Sequence, residues 1–470
     1  MKQILEYIRS HKDDMINDLS RLVAIPSVKS APTENAPFGP DSARCLKEAA
    51  SLFSKNGFTV DLFEADGYAL AYTRPDKTYS VGIFAHSDVV PVTPEEWVMT
   101  KPFELKMKDG FLYGRGVNDD KGAIVSVLYI LKACRELLLL PEDGIVVFIG
   151  SNEEAGMEDI TAFAKRHTMP RVSLSPDSSF PASLGEKGIT RLDITARPSP
   201  LIKKLEGGAA YNIIMPSCVC EFVYSDELMN RLCGINSGDI TVIRDGDVIR
   251  VTATGIAGHA ARPHLGQSAL KVLCDAVNSV GTGDEAVDRQ FEYIGHILAD
   301  TDGKGCGIAA DDPVFGPLTV ANGIVRISEN TLFIGFDIRY GSSIQPENVI
   351  EGIRRSCSKQ GFDVRVQRAS SAFSIDENSK CAQALLTAYR TCTGDTESSF
   401  FHMSGGTYCK YIPNAFATGF RCGAHLPPDG VLPPNHGRGH QSDECLELEG
   451  YLNGAEILCD MILAAADAVK

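Results

Sequence analysis

Residues that can bind a metal ion or move a proton recur after short apolar runs of this sequence. They lie in the segments AHSDVVP, GRGVNDDKG, GSNEEAGM, LSPDSSF and HQSDE. The residues concerned are His86, Asp88, Asp119, Asp120, Glu153, Glu154, Asp177 and His440. A single histidine after a strand is usually a structural hydrogen-bonding residue, and an acidic pair at a helix start is usually a cap. The argument for chemistry is that all of these residues occupy the same kind of position.

Together these side chains would form a cluster of carboxylates and two imidazoles. Several carboxylates within a few ångströms cannot all stay ionised in a poorly solvated cleft unless cations neutralise them, and divalent metal ions do so. Glu153 and Glu154 are adjacent, so their side chains diverge: one can bind a metal while the other stands over the attacking water. Asp88, two residues beyond His86, is placed to accept a hydrogen bond from the imidazole and fix its orientation.

The elements between these segments predict how the cluster is assembled. Apolar runs at 81–85 and 144–149 predict strands, and the segment 42–56 and a segment opened by Asp120 predict helices. Strands separated by helices indicate a mostly parallel sheet, in which sites form at the carboxyl ends of the strands. The sequence therefore predicts an α/β catalytic domain.

The pattern changes near residue 190. Longer alternating strands are predicted at 191–196, 240–254 and 332–340, with a helix at 268–280, which indicates an α+β region. Helical spacing returns after about residue 378. We therefore predict a catalytic domain formed by 1–190 and 378–470, with an inserted domain at 191–377.

Composition excludes several classes of function. The chain has 470 residues, 44% of them hydrophobic, with 45 Lys and Arg against 61 Asp and Glu, a net charge of −16. This length and composition are typical of a globular protein of two domains. The negative charge argues against nucleic-acid and membrane-surface binding. No apolar stretch approaches the ~20 residues that span a bilayer.

The N-terminal segment and the cysteines predict the cellular compartment. Met1 to Ser30 lacks the pattern of an export signal, and its apolar residues recur at helical spacing, which predicts a surface helix. The fourteen cysteines are scattered and include no C-x-x-C pair, which favours free thiols and a cytoplasmic location. Cys218 and Cys220, the closest pair, are predicted to serve packing.

The ordered motifs resemble a known family. FAHSDVVP, the stretch from Trp97 to Gly116 ending in LYGRG, DDKG, NEE, SPD and HQSDE are similar in order and spacing to the two-metal peptidases. That family includes carboxypeptidase G, aminoacylase, carnosinase and succinyl-diaminopimelate desuccinylase, and its fold is a zinc-peptidase-like catalytic domain with an inserted lid. The length and the SGGTYCK segment most resemble the bacterial PepV-type dipeptidases.

The resemblance implies a role for each residue of the cluster. It implies that His86 and Asp177 bind one ion, that Glu154 and His440 bind the other, and that Asp119 bridges the two. Glu153 would be the general base and Asp88 would orient His86. A cis peptide between Asp119 and Asp120 is also implied. His436 is an alternative ligand, but His440 has the H-x-x-D-E context that the family uses.

The inserted domain is expected to bind substrate. The segment GIAGHAARPHLGQSAL resembles the family's lid motif, which implies that His259 donates a hydrogen bond to the oxyanion of the tetrahedral intermediate. The alternative is a purely structural role, as a turn histidine beside Gly258. Asn212 and Arg339 match positions that contact substrate, although Arg339 could instead pair with Asp337.

Gly405, Gly406 and Thr407 offer backbone N–H groups and a hydroxyl, a candidate nest for the substrate's C-terminal carboxylate. The alternative is an ordinary glycine turn. If this segment binds the carboxylate and the lid is closed, only a short peptide fits, which favours dipeptides. Departures from the family pattern at Cys409, Lys410 and the loop that contains His425 leave side-chain preference open.

The sequence thus predicts a dipeptidase with two divalent ions per chain. Zinc fits the mixed ligands, as do manganese and cobalt, because ligand type does not separate them. An N-acyl-amino-acid amidohydrolase, such as a desuccinylase or deacetylase, is the alternative, and a non-catalytic binding protein is the remote one. The expected partner is a small peptide substrate, and the long insertion favours a monomer over a homodimer.

Overall fold

The computed structural model describes residues 2–75 and 78–470. Met1, Asp76 and Lys77, which fall within the predicted segment 1–190, lie outside the described residues. Two compact units are formed, each with its own hydrophobic core. The first comprises Met1–Gly185, Ile375–His402 and Gly406–Lys470, and the second comprises Glu186–Ser374 and Met403–Gly405.

The first unit is built on a mixed sheet whose centre is parallel. Four neighbouring strands run parallel: Gly144–Gly150, Tyr79–His86, Val172–Ser175 and Ala415–Ala417. Antiparallel strands flank them: Thr59–Phe63 and Tyr68–Tyr72 on one side, and Ser183–Glu186 on the other. Every residue of Gly144–Gly150 is buried, as expected for a strand covered on both faces. The prediction of an α/β fold is confirmed, and the sheet is mixed, with its parallel strands at the centre.

Helices and a small sheet complete this unit. The small antiparallel sheet contains Lys106–Lys108, Phe111–Tyr113 and Cys445–Glu447. The α-helices are Lys2–Ser10, Lys12–Val23, Pro40–Lys55, Lys121–Glu136, Glu158–Arg166, Lys380–Thr393 and Leu448–Ala468. Leu448–Ala468 and Lys121–Glu136 are apolar on most of their surface because they pack in the core.

The N-terminal segment differs from the prediction of one surface helix. Two helices form, and they are interrupted at His11, whose ring lies 2.9 Å from the carbonyl oxygen of Tyr7. Ile8 and Met15 are fully buried. The apolar residues mark the faces that pack on the core, while residues such as Arg9 and Asp13 on the other faces are exposed. The difference from the prediction is therefore the break into two helices.

The second unit is α+β. Its eight-stranded antiparallel sheet has the order Ile240–Asp245, Val248–Thr254, Ser217–Val223, Ile202–Gly207, Thr319–Ser328, Thr331–Tyr340, Gly188–Ala196 and Asp363–Ser370. Its helices are Asp226–Leu232, Ala269–Val280, Glu285–Ile297 and Pro346–Ser358. Two short pairs add Ile213–Ile214 with Gly258–His259, and Asp311–Asp312 with Gly316–Pro317.

One long strand expected at 240–254 is instead a hairpin. The chain turns at Gly246, whose φ of 62° lies in the left-handed region. A glycine there adopts the turn without a steric penalty, so the two strands pair directly with each other.

All fourteen cysteines are free thiols, and Cys218 and Cys220 are buried. Within residues 2–75 and 78–470, the helices are too short or too polar to cross a bilayer.

Candidate metal centre

Three neighbouring parallel strands deliver the first group of site residues. His86 is the last residue of Tyr79–His86, Glu153 and Glu154 follow Gly144–Gly150, and Asp177 follows Val172–Ser175. Because these strands are adjacent and parallel, their carboxyl ends meet at one edge of the sheet. This convergence is what the spacing of the motifs predicts.

The DD segment adds Asp119 between the strands and a helix. The peptide bond between Asp119 and Asp120 is cis, as the family resemblance implies. Asp120 precedes the helix Lys121–Glu136, and its Oδ2 accepts a hydrogen bond from the backbone N–H of His86 at 3.2 Å. This contact fastens the segment to the end of the central strand.

Asp119 lies between two imidazoles. Its Oδ1 is 3.1 Å from Nε2 of His86, and its Oδ2 is 3.1 Å from Nε2 of His440. The same nitrogen of His440 is 3.1 Å from Oε2 of Glu154. On the other side, Oδ2 of Asp177 is 3.9 Å from Nε2 of His86. One carboxylate thus faces two ligand groups at once, the geometry that a bridging ligand requires.

Two sets of side chains offer ligand atoms within 4.8 Å of one another. One set is His86, Glu153 and Asp177, and the other is His86, Asp119 and Glu154. Glu153, the residue predicted to be the base, is itself a member of the first set and so lies close to His86 and Asp177.

The donor set fits divalent cations. Within the described ranges 2–75 and 78–470, the Oε1 atoms of Glu153 and Glu154 are buried and have no hydrogen-bond partner. Burial, together with neighbouring carboxylates, raises the pKa of Glu153 well above its ordinary value, and the pKa of Asp177 likewise. A buried carboxylate oxygen without a donor is costly, and a cation removes that cost.

Neighbouring carboxylates favour the protonated form of both histidines when no metal is bound. Hydrogen bonds to Asp119 and Glu154 raise the pKa of His440 to about 11. Burial opposes the charge on His86, but its hydrogen bonds to Asp119 and Asp88 outweigh burial and raise its pKa well above the ordinary value. A histidine binds a metal only as the neutral ring, so metal ions must displace these protons.

Asp88 positions the two glutamates as well as His86. Nδ1 of His86 lies 3.0 Å from the backbone carbonyl oxygen of Asp88 and 3.5 Å from its carboxylate. The two carboxylate oxygens accept the backbone N–H groups of Glu153 and Glu154, each at 3.1 Å. Asp88 therefore orients the imidazole mainly through its main chain, while its side chain holds both glutamates in place.

Glu444 is a site residue that the sequence analysis used only as motif context. Its Oε1 accepts the backbone N–H groups of Gly116, Asn118 and Asp119 at 3.1, 2.9 and 3.1 Å. Its Oε2 pairs with the guanidinium of Arg115 at 2.6 Å, and both side chains are buried. This single carboxylate fixes the backbone that leads into Asp119.

Asp443 connects the segment of Val98 and Met99 to the loop that contains His436. Its carboxylate accepts the N–H groups of Val98 and Met99, with shortest distances of 3.0 and 2.7 Å, and pairs with Nδ1 of His436 at 2.7 Å. His436 is absent from both sets of candidate ligands in the described chain. His440 is absent from these two sets as well, but its Nε2 lies 3.1 Å from both Asp119 and Glu154, so the geometry favours His440. Its left-handed φ of 66° is unusual for a residue with a side chain.

A second supporting residue that the sequence analysis missed is Asp159. It accepts the backbone N–H groups of Ser151 and Asn152, at 2.8 and 3.0 Å, and the hydroxyl of Tyr408, at 2.6 Å. The Tyr408 ring packs edge-on against His86 with ring centroids 6.5 Å apart. An aspartate in the first turn of Glu158–Arg166 looks like a helix cap, so no sequence signal distinguished it.

The other predicted residues of the inserted domain lie in the second unit. His259 is exposed, and its Nδ1 accepts the N–H of Ala261 at 3.1 Å. Asn212 lies on a segment that is hydrogen-bonded to the segment of His259: the carbonyl oxygen of Asn212 accepts the N–H of Ala260 at 2.9 Å.

Arg339 makes strong contacts within the second unit. Its Nε donates to Asp337 at 2.8 Å, and its terminal nitrogen donates to the carbonyl oxygen of Ser404 at 2.5 Å. Asp337 also pairs with Arg191 at 3.0 Å. The pairing of Arg339 with Asp337, considered as the alternative to substrate contact, is thus present.

The Gly405 to Thr407 segment is divided between the units. Gly405 groups with the second unit, whereas Gly406 and Thr407 group with the first. The Thr407 hydroxyl oxygen accepts the N–H of Cys409 at 3.2 Å and caps a short 3₁₀ turn. A local capping role therefore accompanies the proposed nest.

Comparison with known proteins identifies similar chains. Residues 82–464 match the sequence profile of Peptidase family M20/M25/M40. A putative dipeptidase of Staphylococcus epidermidis is 26% identical over 483 residues, covering 98% of each chain. The Saccharomyces cerevisiae di-peptidase Dug1p has a TM-score of 0.62 at 14% identity, covering 99% of this chain and 98% of its own. Human carnosine dipeptidase 1 has a TM-score of 0.60 at 17% identity, with the same coverage.

Proposed function

Because the chain belongs to Peptidase family M20/M25/M40, we propose that it is a metal-dependent dipeptidase acting on dipeptides with free N- and C-termini. The observation that carries the proposal is the position of Asp119 between His86 and His440, with Glu153 buried beside them. The names of the similar dipeptidases support the choice of substrate class.

The residues that would hold the ions follow from the family resemblance, and the contacts among His86, Asp119, Glu154, Asp177 and His440 support them. His86 and Asp177 would hold one ion, Glu154 and His440 the other, and Asp119 both. When bound, the ions polarise the scissile carbonyl and lower the pKa of an attacking water. We propose zinc as the native metal, since it suits mixed imidazole and carboxylate ligands, with manganese and cobalt as alternatives.

Glu153 would carry the proton. Its Oε1 has no partner among the described residues, so it is available to accept a proton from water. Burial raises its pKa, which makes the carboxylate a stronger base and lets it return the proton to the departing amine. Asp88 holds the backbone N–H of Glu153 and so keeps the carboxylate in place.

Residues of the second unit would bind the substrate. We propose that His259 donates a hydrogen bond to the developing oxyanion and that Asn212 and Arg339 contact the peptide. Gly405, Gly406 and Thr407 remain the proposed nest for the C-terminal carboxylate. We further propose that the protein acts as a cytoplasmic monomer on small peptides and binds neither nucleic acid nor membranes.

A substrate panel tests the proposal. Purified protein loaded with zinc, manganese or cobalt is assayed with Ala-Ala, β-Ala-Ala, N-acetyl-alanine and N-succinyl-alanine. We expect turnover of the dipeptides. Turnover of the acylated compounds alone would assign an amidohydrolase instead, and an inactive protein at full metal loading would assign a binding protein.

A pair of variants tests the role of Glu153. Glu153→Gln should reduce kcat by about 10²–10⁴-fold while metal content stays unchanged, because it removes the base but keeps the shape. Glu104→Gln, an exposed glutamate elsewhere in the same unit, should leave kcat unchanged. Unaltered kcat in Glu153→Gln would remove this residue from the mechanism.

A further inference from the structure

We propose that a cavity beside His440 receives the N-terminal residue of the substrate and that Glu96 binds its ammonium group. The cavity is formed mainly by segments 91–96 and 434–442 and has a volume of about 420 Å³. This lies within the range of ~300–1,000 Å³ typical of small-molecule pockets. The inference rests on the proposed function. It assigns a binding site to the N-terminus of the dipeptide, for which neither Gly405 to Thr407 nor the residues of the second unit were proposed.

The cavity adjoins the metal centre through one shared residue. His440 lines the cavity, and its Nε2 also lies 3.1 Å from both Asp119 and Glu154. A peptide carbonyl at the metal centre is two bonds from the α-amino nitrogen of the same residue. The N-terminal residue must therefore lie in the immediate surroundings of that centre, where this cavity provides room.

The positive groups of the cavity wall are already paired. Arg115 is buried against Glu444 at 2.6 Å, and its guanidinium stacks over the ring of Trp97 at 5.5 Å. Nδ1 of His436 pairs with Asp443 at 2.7 Å. Arg115 and His436 therefore already have acidic partners and do not offer an unpaired basic group to a ligand.

Glu96 is an exposed carboxylate of the wall that has no cationic side chain beside it among the described residues. Across residues 2–75 and 78–470, no lysine, arginine or histidine nitrogen lies within 4.0 Å of its oxygens. Its Oε2 accepts the hydroxyl of Ser442 at 3.0 Å, which ties the two wall segments together and directs the side chain. An ammonium ion is the natural partner of such a carboxylate, since a charge-assisted hydrogen bond is about twice as strong as a neutral one.

This arrangement would distinguish a dipeptide from an N-acyl amino acid. A dipeptide presents a cation next to its scissile carbonyl, whereas an acylated amino acid presents a neutral group there. The acylated compound cannot form the charge-assisted hydrogen bond with Glu96 and would therefore bind more weakly than the dipeptide. The cavity thus supplies a physical reason for choosing between the two activities.

The test compares Ala-Ala with propionyl-alanine, which differs only in lacking the ammonium group. Glu96→Gln keeps the acceptor for Ser442 but removes the charge. Glu95→Gln is the matched control, because Glu95 is the neighbouring carboxylate, exposed like Glu96 but outside the cavity wall. Metal content is measured for each variant, so that loss of the metal centre is detected separately.

We expect Glu96→Gln to raise KM for Ala-Ala by about 10-fold with kcat little changed, and to leave propionyl-alanine kinetics unaltered. Glu95→Gln should match the parent on both compounds. Equal effects of Glu96→Gln on both compounds, or none on Ala-Ala, would overturn the inference while the dipeptidase proposal stands. A parent protein that does not hydrolyse Ala-Ala would overturn both.

Discussion

Replacing Glu444 with glutamine tests whether this buried carboxylate holds the bridging ligand in place. The carboxylate accepts three backbone N–H groups from Gly116, Asn118 and Asp119 and pairs with Arg115. An amide cannot satisfy both sides. If its oxygen faces the N–H groups, its NH₂ confronts the guanidinium, and if it is turned round, the N–H groups lose their acceptor.

The structure sets the size of the expected effect. Breaking one partner of a buried ion pair costs about 3–5 kcal/mol, so Glu444→Gln should lower the free energy of unfolding of the first unit by about that amount. Because the three N–H donors lead into Asp119, metal affinity should also fall, by about 10–100-fold, as is typical when a group supporting a ligand is lost.

The control is Glu447→Gln in the same segment. Glu447 accepts the N–H of Ala424 at 2.7 Å, but that loop carries no proposed ligand. Its loss should cost about 1 kcal/mol and leave metal affinity unchanged. Urea unfolding of metal-free protein and a zinc competition titration with a chelating dye measure the two quantities.

Two results would refute the reasoning. If Glu444→Gln unfolds no more easily than Glu447→Gln, the buried pair does not contribute as its geometry indicates. If stability falls but zinc affinity matches that of the parent, Glu444 stabilises the fold without positioning Asp119.

Three further predictions concern ligands, protons and pH. His440→Ala should lose one of the two metal ions by elemental analysis, whereas His436→Ala should keep both; loss of an ion from His436→Ala would reverse the assignment. Because the pKa of His440 is about 11 without metal, and the pKa values of His86 and Asp177 are also raised, zinc uptake at pH 7 should release protons from the site, and calorimetry in buffers of different ionisation enthalpy would contradict this if it found none. Burial raises the pKa of Asp159 from 3.8 to about 6, so the folded chain binds this proton more tightly than the unfolded chain. The free energy of unfolding should therefore fall by up to about 3 kcal/mol as pH rises from about 4 to 6, and urea unfolding of Asp159→Asn should lack this decrease.

Local patterns predicted the elements that carry the site. The apolar run ending at His86 forms a buried parallel strand, and Asp120 stands directly before a helix. The bounds were close because short apolar strands and their flanking polar residues are encoded within a few positions of each other. Sequence could not show that the N-terminal segment breaks at His11, or that the 240–254 segment folds back at Gly246.

The sequence by itself determined which chemistry is available. Imidazoles and carboxylates at the ends of predicted parallel strands imply that they meet at one edge of the sheet. The shared negative charge of the carboxylates implies that cations bind there. Both conclusions depend only on residue type and order. The fold class and the family follow from the same ordered motifs.

Only the tertiary structure decided which backbone N–H groups each supporting carboxylate binds. The side chain of Asp88 binds the backbone of Glu153 and Glu154, and Glu444 binds the backbone before Asp119 across more than 300 residues of sequence. Periodicity and spacing report which face a residue occupies, but not which distant N–H group its carboxylate reaches. Such hydrogen bonds are fixed only when separate segments pack together, since burial then makes an unpaired polar group costly and most of them find a partner.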